Sequence, residues 1–241
     1  MKKNNLRYLL LFISLIIVIS LNACAVMPAR QANLNNPIRT VAVLPMINQT
    51  NDVEAPAYVR TEFDKRIPVN FYSNKPLRDV DQLLKDQMGV TLGSQLDMTT
   101  PQKLGELLGV DAVVYGTLMN YDTQITGFYN VKRVRAKFIM VNTSTGETVW
   151  QNGIGIKSET KAGSIGGVLS MAGSLKEATQ KEEIPWVTIE SESKGSFGEA
   201  LGGALIDKVV SKAFKAQLAR ETQEMINRVI TTLPPGPVPY K

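Results

Sequence analysis

Residues Thr100–Tyr121, TPQKLGELLGVDAVVYGTLMNY, decide the fold class. Thr100 supplies a side-chain oxygen that can cap the first amides of a helix, and Pro101 fits the first turn, where a missing N–H costs nothing. Leu104, Leu107 and Leu108 then fall at i, i+3, i+4 on one helical face, and Gly109 stops the helix. Asp111-Ala-Val-Val-Tyr-Gly-Thr-Leu follows at once, an apolar, β-branched run that reads as a core strand. A short helix feeding a buried strand is the signature of an α/β sheet.

Downstream the period changes. From Val131 it is two, with Val134, Ala136, Phe138 and Met140 on one face and Arg133, Arg135 and Lys137 on the other. Asn142–Gly146 (NTSTG) is a turn, and Glu147–Ile156 returns with Trp150, Ile154 and Ile156 together, which predicts a hairpin packed on one side. Upstream, Ile38–Leu44 (IRTVAVL), closed by Pro45, predicts a buried strand. Pro56 opens a helix with Val59 and Phe63 four apart, and Pro68 stops it. Pro68–Tyr72 reads as a second strand. Leu77–Met88 predicts another helix, with Val80, Leu83, Leu84 and Gln87 inward and Gly89 at its end.

Gly153–Gly203 is rich in glycine, serine and small residues, with the apolar patch Ile165–Met171 and the stretch Pro185–Ile189 between polar runs. Glu199 to about Ile230 predicts one long helix: Leu201, Leu205, Val209 and Ala213 in register, then Phe214, Leu218, Met225 and Val229 on a drifting stripe. Pro234–Pro239 predicts an extended, frayed tail. No solenoid period is present. The element order gives an α/β class with a mixed sheet flanked by helices, plus a long carboxy-terminal helix.

The chain of 241 residues, 44% hydrophobic and 20% charged, can bury one sizeable core. Its formal charge of +5 comes from 27 basic and 22 acidic residues, and Lys2, Lys3 and Arg7 lie in a leader without acids. From Cys24 onward the balance is 24 against 22, which removes the main argument for a nucleic-acid partner. With no histidine and one cysteine, Ser-His-Asp and Cys-His machinery, HExxH sites, cysteine-rich zinc modules and internal disulfides are excluded.

Tyr8–Leu21 is apolar but for Ser14 and Ser20, too short to span a bilayer and right for an export signal. Leu21-Asn22-Ala23-Cys24 resembles the bacterial lipoprotein signal, which implies cleavage between Ala23 and Cys24 and lipidation of the Cys24 thiol. Acyl chains, at about 0.8 kcal/mol per buried methylene, make such anchoring stable. Ala25, in place of the aspartate that retains lipoproteins in the enteric inner membrane, favours the outer membrane facing the periplasm; the inner membrane is the alternative. The expected organisation is a signal peptide at 1–23, anchor and flexible tether at 24–37, α/β core at 38–157, glycine/serine-rich flexible region at 158–197, helix at 198–231 and proline-rich tail at 232–241. At about 3.3 Å per residue the tether would let the domain float clear of the lipid.

Three stretches, Val41–Asp52 (VAVLPMINQTND), Leu107–Leu118 (LLGVDAVVYGTL) and Ala136–Trp150 (AKFIMVNTSTGETVW), resemble a bacterial lipoprotein family of unknown function, the neisserial conserved-antigen type. More distantly they are similar to the amino-terminal domain of TolB, the curli-export channel lipoprotein and the lipoprotein activators of peptidoglycan synthases. The resemblance covers roughly residues 38–157 and the glycine-rich stretch before the last helix. It implies a single TolB-amino-terminal-like domain in the periplasm, no cofactor, no catalytic residues to carry over, and a non-enzymatic accessory role in an envelope or secretion assembly, beside a partner such as a curli-export-like lipoprotein. A synthase activator is the neighbouring alternative; a periplasmic glycan or small-ligand binder is the alternative of another class. The polar stretch 176–194 and the charged helix Asp207–Lys215 depart from the family pattern.

Remaining candidates have plain structural readings. Asp52/Glu54 and Asp79/Asp81 stand at helix starts, where carboxylates cap amides and favour the dipole more readily than they form an acid–base pair. Gly163, Gly166, Gly167 and Gly173 lack phosphate-loop spacing and read as a flexible loop. Gly198 and Gly202, four apart, predict close helix packing on this domain or on a second copy, since Glu199, Asp207, Lys208 and Lys212 rule out a membrane segment. Arg133, Arg135 and Lys137 read first as an ordinary solvated strand face, with a partner-binding stripe for an anionic glycan, lipid headgroup or acidic protein as the alternative.

Overall fold

The computed structural model describes residues 30–126, 129–161, 184–190 and 207–238, and residues from Ala32 onward form one compact unit. In chain order the elements are β1 (Thr40–Val43), β2 (Ile47–Asn48), α1 (Ala55–Asp64), a 3-10 turn (Pro68–Asn70), β3 (Ser73–Asn74), α2 (Leu77–Met88), a 3-10 segment (Gly93–Met98), α3 (Pro101–Leu108), β4 (Ala112–Thr126), β5 (Tyr129–Asn142), β6 (Thr148–Lys161), β7 (Trp186–Glu190) and α4 (Asp207–Ile230). They build a mixed sheet of order β3-β1-β4-β5-β6-β7, with β2 beside β4. β1, β2 and β3 join in parallel; β4, β5 and β6 form an antiparallel meander; β7 adds in parallel to β6.

Helices cover both faces of the sheet's first half. On one, Val41, Val43, Ala112, Val114, Phe138 and Met140 pack against Val59 and Phe63 of α1 and Leu218, Met225 and Val229 of α4. Phe63 stacks on Phe138 with centroids 4.1 Å apart and also meets Trp150 at 6.4 Å. The opposite face holds Ala42, Leu44, Val113 and Val141 against Val80 and Leu84 of α2 and Leu104 and Leu108 of α3. From Val41 to Val43 β1 is apolar because it is buried on both faces, whereas β5 alternates because its first half is covered on one side only.

The punctuation works as its chemistry requires. Thr100 Oγ1 accepts the Lys103 amide at 3.4 Å, and Gly89 and Gly109 end α2 and α3 at φ +67° and +64°. Asp52 Oδ1 accepts the amides of Glu54 and Ala55, each at 2.9 Å, so this acid caps α1. Asp79 lies in the first turn of α2, while Asp81 pairs with Arg60.

Several expectations are corrected. Pro68–Tyr72 is no strand: Pro68–Asn70 is a 3-10 turn and Phe71 takes φ +64°, so extended pairing begins only at Ser73. Gln87 is exposed, because the inner face of α2 narrows to Val80 and Leu84 with Leu83 at its margin. β6 continues to Lys161 and Trp186–Glu190 is a strand, so parts of the expected flexible region belong to the sheet. The tail is not frayed over its described part. Gly236 donates to the Asn70 carbonyl at 2.8 Å and Val238 to that of Phe71 at 3.0 Å. Nor is the tether flexible to residue 37: the Asn33 amide donates to the Gly236 carbonyl at 2.9 Å, and Asn36 Nδ2 reaches Tyr72 Oη and the Pro235 carbonyl, each at 3.0 Å. Ala23, Cys24, the glycines at 163–173, Ile165–Met171, Gly198, Gly202, Leu201 and Leu205 lie outside the described residues. Among the described residues no helix is long and apolar enough to cross a membrane.

Candidate interaction surface

The core shared with α2 and α3 reaches only to Tyr115 of β4 and Ile139 of β5. Beyond that line the same sheet face carries polar, charged and aromatic side chains in cross-strand rows. One row reads Asn120, Arg135, Gly155, Trp186; the next reads Asp122, Arg133, Lys157, Thr188. A register shift between Leu118 and Asn120 brings Asn120 and Asp122 onto this face opposite the arginines.

Arg133 donates from Nε and Nη2 to Asp122 Oδ2 at 3.0 and 2.7 Å. Arg135 Nε donates to Asn120 Oδ1 at 2.8 Å, and its guanidinium lies 4.8 Å from the centroid of a Trp186 ring. Lys157, nearly buried, pairs with Glu159 at 2.9 Å. Lys137 is half-buried one row nearer the core, opposite Thr117 and Gly153. The three basic residues share this face, Arg133 and Arg135 each held by a polar neighbour on β4 and Lys137 one row away. A guanidinium stacked on an indole keeps N–H groups directed sideways while its face is desolvated, a geometry suited to an acidic or carbonyl-rich partner.

The sequence reading missed Trp186 and what seats it. Gly155 has no side chain, and the six-membered ring of Trp186 occupies the place a Cβ would take; Gly153 makes room in the same way for Ile184. The Gly153-Ile154-Gly155 triplet inside a strand was the available signal, since interior strand glycines mark close approach of another group.

The other face of this half is sealed by α4. Ser158 Oγ donates to the buried Glu221 Oε1 at 2.6 Å, and Trp150 Nε1 donates to Thr232 Oγ1 at 3.1 Å just past the helix. Burial drives the Tyr121 phenol well above its usual range, with Thr222 pulling the other way and the nearby Tyr58, Asp52 and Glu221 adding to the rise. Among the described residues no group of three His, Cys, Asp or Glu is placed to hold a metal ion.

The described residues form a single α/β domain, its sheet mixed and helix-flanked. Residues 32–184 match the family described as Putative lipoprotein GNA1162-like, and the chain belongs to that family. It is 26% identical over 167 residues to the putative lipoprotein NMB1124/NMB1162 of Neisseria meningitidis serogroup B, covering 66% of this chain and 77% of that one. It is similar in structure to lipoprotein GNA1162 of Neisseria meningitidis, at 25% identity and TM-score 0.48 over 59% of this chain and 99% of the other. The PelC dodecamer of Paraburkholderia phytofirmans is a more remote likeness, at 16% identity and TM-score 0.33 over 60% and 86% of the two chains. Membership in a lipoprotein family implies lipid-anchored association with a membrane. None of these relatives is named as an enzyme.

Proposed function

We propose that the protein is a non-enzymatic accessory lipoprotein of the outer membrane, anchored through Cys24 and facing the periplasm, which helps assemble or stabilise an envelope complex. The observation that carries this reading is the Arg135–Trp186 stack within a paired polar lattice on the sheet face beyond α2 and α3. Pre-ordered arginine and tryptophan side chains lose little entropy on docking and are the residue types that dominate binding energy. The partner is an envelope protein presenting acidic or backbone carbonyl groups.

Two measurements test the reading. Intact mass and membrane fractionation of wild type and Cys24→Ala should show acyl mass and outer-membrane location for the first alone. Pull-down from detergent-solubilised envelopes should recover a partner that Arg135→Ala or Trp186→Ala releases. An unacylated, soluble wild type refutes the anchor; recovery undiminished by both substitutions refutes the surface.

A further inference from the structure

The chain enters and leaves the domain at one end of the sheet. There the Asn33 amide meets the Gly236 carbonyl, the Gly236 amide meets Asn70, Asn36 bridges Tyr72 and Pro235, and the Tyr72 hydroxyl donates to the Pro234 carbonyl at 2.8 Å. The starts of β1, β4 and β6 and the end of β5 lie at this end, because β1 and β6 run with β4 and β5 runs against it. The Thr126 end of β4 and the Glu190 end of β7 lie at the other.

Nine Cα-to-Cα steps lead from Cys24 to Asn33, and in any conformation they span at most about 32 Å. β4, fifteen residues long, extends roughly 45 Å from Ala112 to Thr126. With the Thr126 end on the lipid, Asn33 would stand farther from the surface than the linker reaches, so an inverted pose is impossible for an acylated Cys24. Three large apolar side chains are left in solvent at the Asn33 end: Leu34 at 73% exposure, Val69 at 67% and Val149 at 41%. Leu34 and Val69 each sit one residue from the Asn33–Gly236–Asn70 ladder, and Val149 lines a groove of about 200 Å³ with Pro37, Tyr72, Trp150 and Pro234. Arg39, exposed at the start of β1, adds a charge suited to anionic headgroups.

We propose that this end is a membrane-contact surface: Leu34, Val69 and Val149 rest in the lipid headgroup region while the β4–β5 hairpin stands away from the bilayer and holds the Arg135–Trp186 surface in the aqueous space. The orientation rests on the Cys24 anchor proposed above. Among the described residues the other large exposed apolar groups, Val53, Leu92 and Met98, flank β2 and α3 and define the competing pose, with the domain on its side.

The full acylated chain is reconstituted in phosphatidylethanolamine–phosphatidylglycerol vesicles as Val69→Cys, Val149→Cys, Met98→Cys or Gln124→Cys. Each introduced thiol carries a fluorophore, Cys24 being blocked by its lipid, and a nitroxide headgroup lipid is the quencher. Quenching at 69 and 149 several-fold stronger than at 98 and 124 is expected. Quenching at 98 equal to that at 149 means the domain lies on its side and overturns the proposal, as does stronger quenching at 124. Vesicle-bound protein with all four labels unquenched also overturns it, leaving this end to water or a second copy. Protein that carries no acyl mass and fails to float with the vesicles instead refutes the anchor, and the orientation with it.

Discussion

Arg60 shows how one side chain joins elements that are far apart in sequence. It is buried on α1, donates from Nε and Nη2 to the Val43 carbonyl at 3.1 and 2.7 Å, and pairs through Nη1 with Asp81 of α2 at 2.7 Å. Asp81 is half exposed, so solvent screens its share of the pair, whereas the Val43 carbonyl has no such help. Arg60→Ala should destabilise by about 2–4 kcal/mol and Asp81→Asn by under about 1 kcal/mol in chemical unfolding. Asp111 and Asp64 should titrate with opposite signs. Partial burial pushes Asp111 up, but hydrogen bonds from the amides of Thr40 and Arg39 and from the Thr40 hydroxyl, with the Arg39 charge, outweigh it and leave its carboxyl below the usual range. Its stabilising contribution is therefore present above the unfolded value, about 3.9, and lost as pH falls through the lower folded value. Asp64 is raised by burial, against its bond from Asn74 and the Arg60 charge, so its penalty sets in as pH rises through the unfolded value and is complete above the folded one. Asp64→Asn should accordingly raise Tm at pH 7, and Asp111→Asn should lower it; a reversed order in pH-resolved melting would contradict this account. These pairings were not legible in sequence. Asp111 and Thr40, or Arg60 and Asp81, meet only after the sheet has formed, though the positions of the acids beside element starts were visible.

Elements bounded by proline and glycine were readable because their stops are local chemistry. α2, α3 and the β5–β6 hairpin fall where Leu77–Met88, Thr100–Gly109 and the NTSTG turn put them. Pro68–Tyr72 failed because an apolar, aromatic composition says nothing of Phe71's positive φ, which the docked tail supports at its carbonyl. β7 was passed over because a five-residue strand between long polar runs has no periodicity of its own, and its place is set by Gly153 and Gly155 some thirty residues earlier. Of the candidate surface, the face shared by Arg133, Arg135 and Lys137 was legible and its partners were not. The bulge after Leu118 decides which acids stand opposite, and no pattern in β4 announces it. Gly155→Val tests the seating of β7. A side chain there must displace the Trp186 ring, so emission of Trp186 in a Trp150→Phe background should shift to the red, with about 1–3 kcal/mol lost from overpacking. Unchanged emission would mean that Trp186 is placed by something other than the glycine gap. At α4, Ser158→Ala removes the donor to buried Glu221 and should cost about 1–3 kcal/mol, measured by denaturant midpoint.

For the whole molecule, the α/β class and its mixed sheet follow from the order of short helices and apolar runs, as the observed strand order bears out. What sequence could not supply is the closure of the two chain ends on each other, a set of contacts across about two hundred residues. Gly236→Ala should open it, because a Cβ there would occupy the position of the Phe71 carbonyl; faster proteolysis around Asn33 with the core melting little changed is the expected result. The closure also sets an order of events. Gly236 comes about two hundred residues after Asn33, so the Asn33 amide has nothing to bind until that much more of the chain has been made. If Cys24 is the anchor proposed above, the linker counts thirteen Cα-to-Cα steps to Pro37 before the closure forms and nine to Asn33 once it has formed. On that anchor, cleavage of the chain just before Gly236 would return those four steps and lengthen the domain's reach from the lipid by roughly 13 Å.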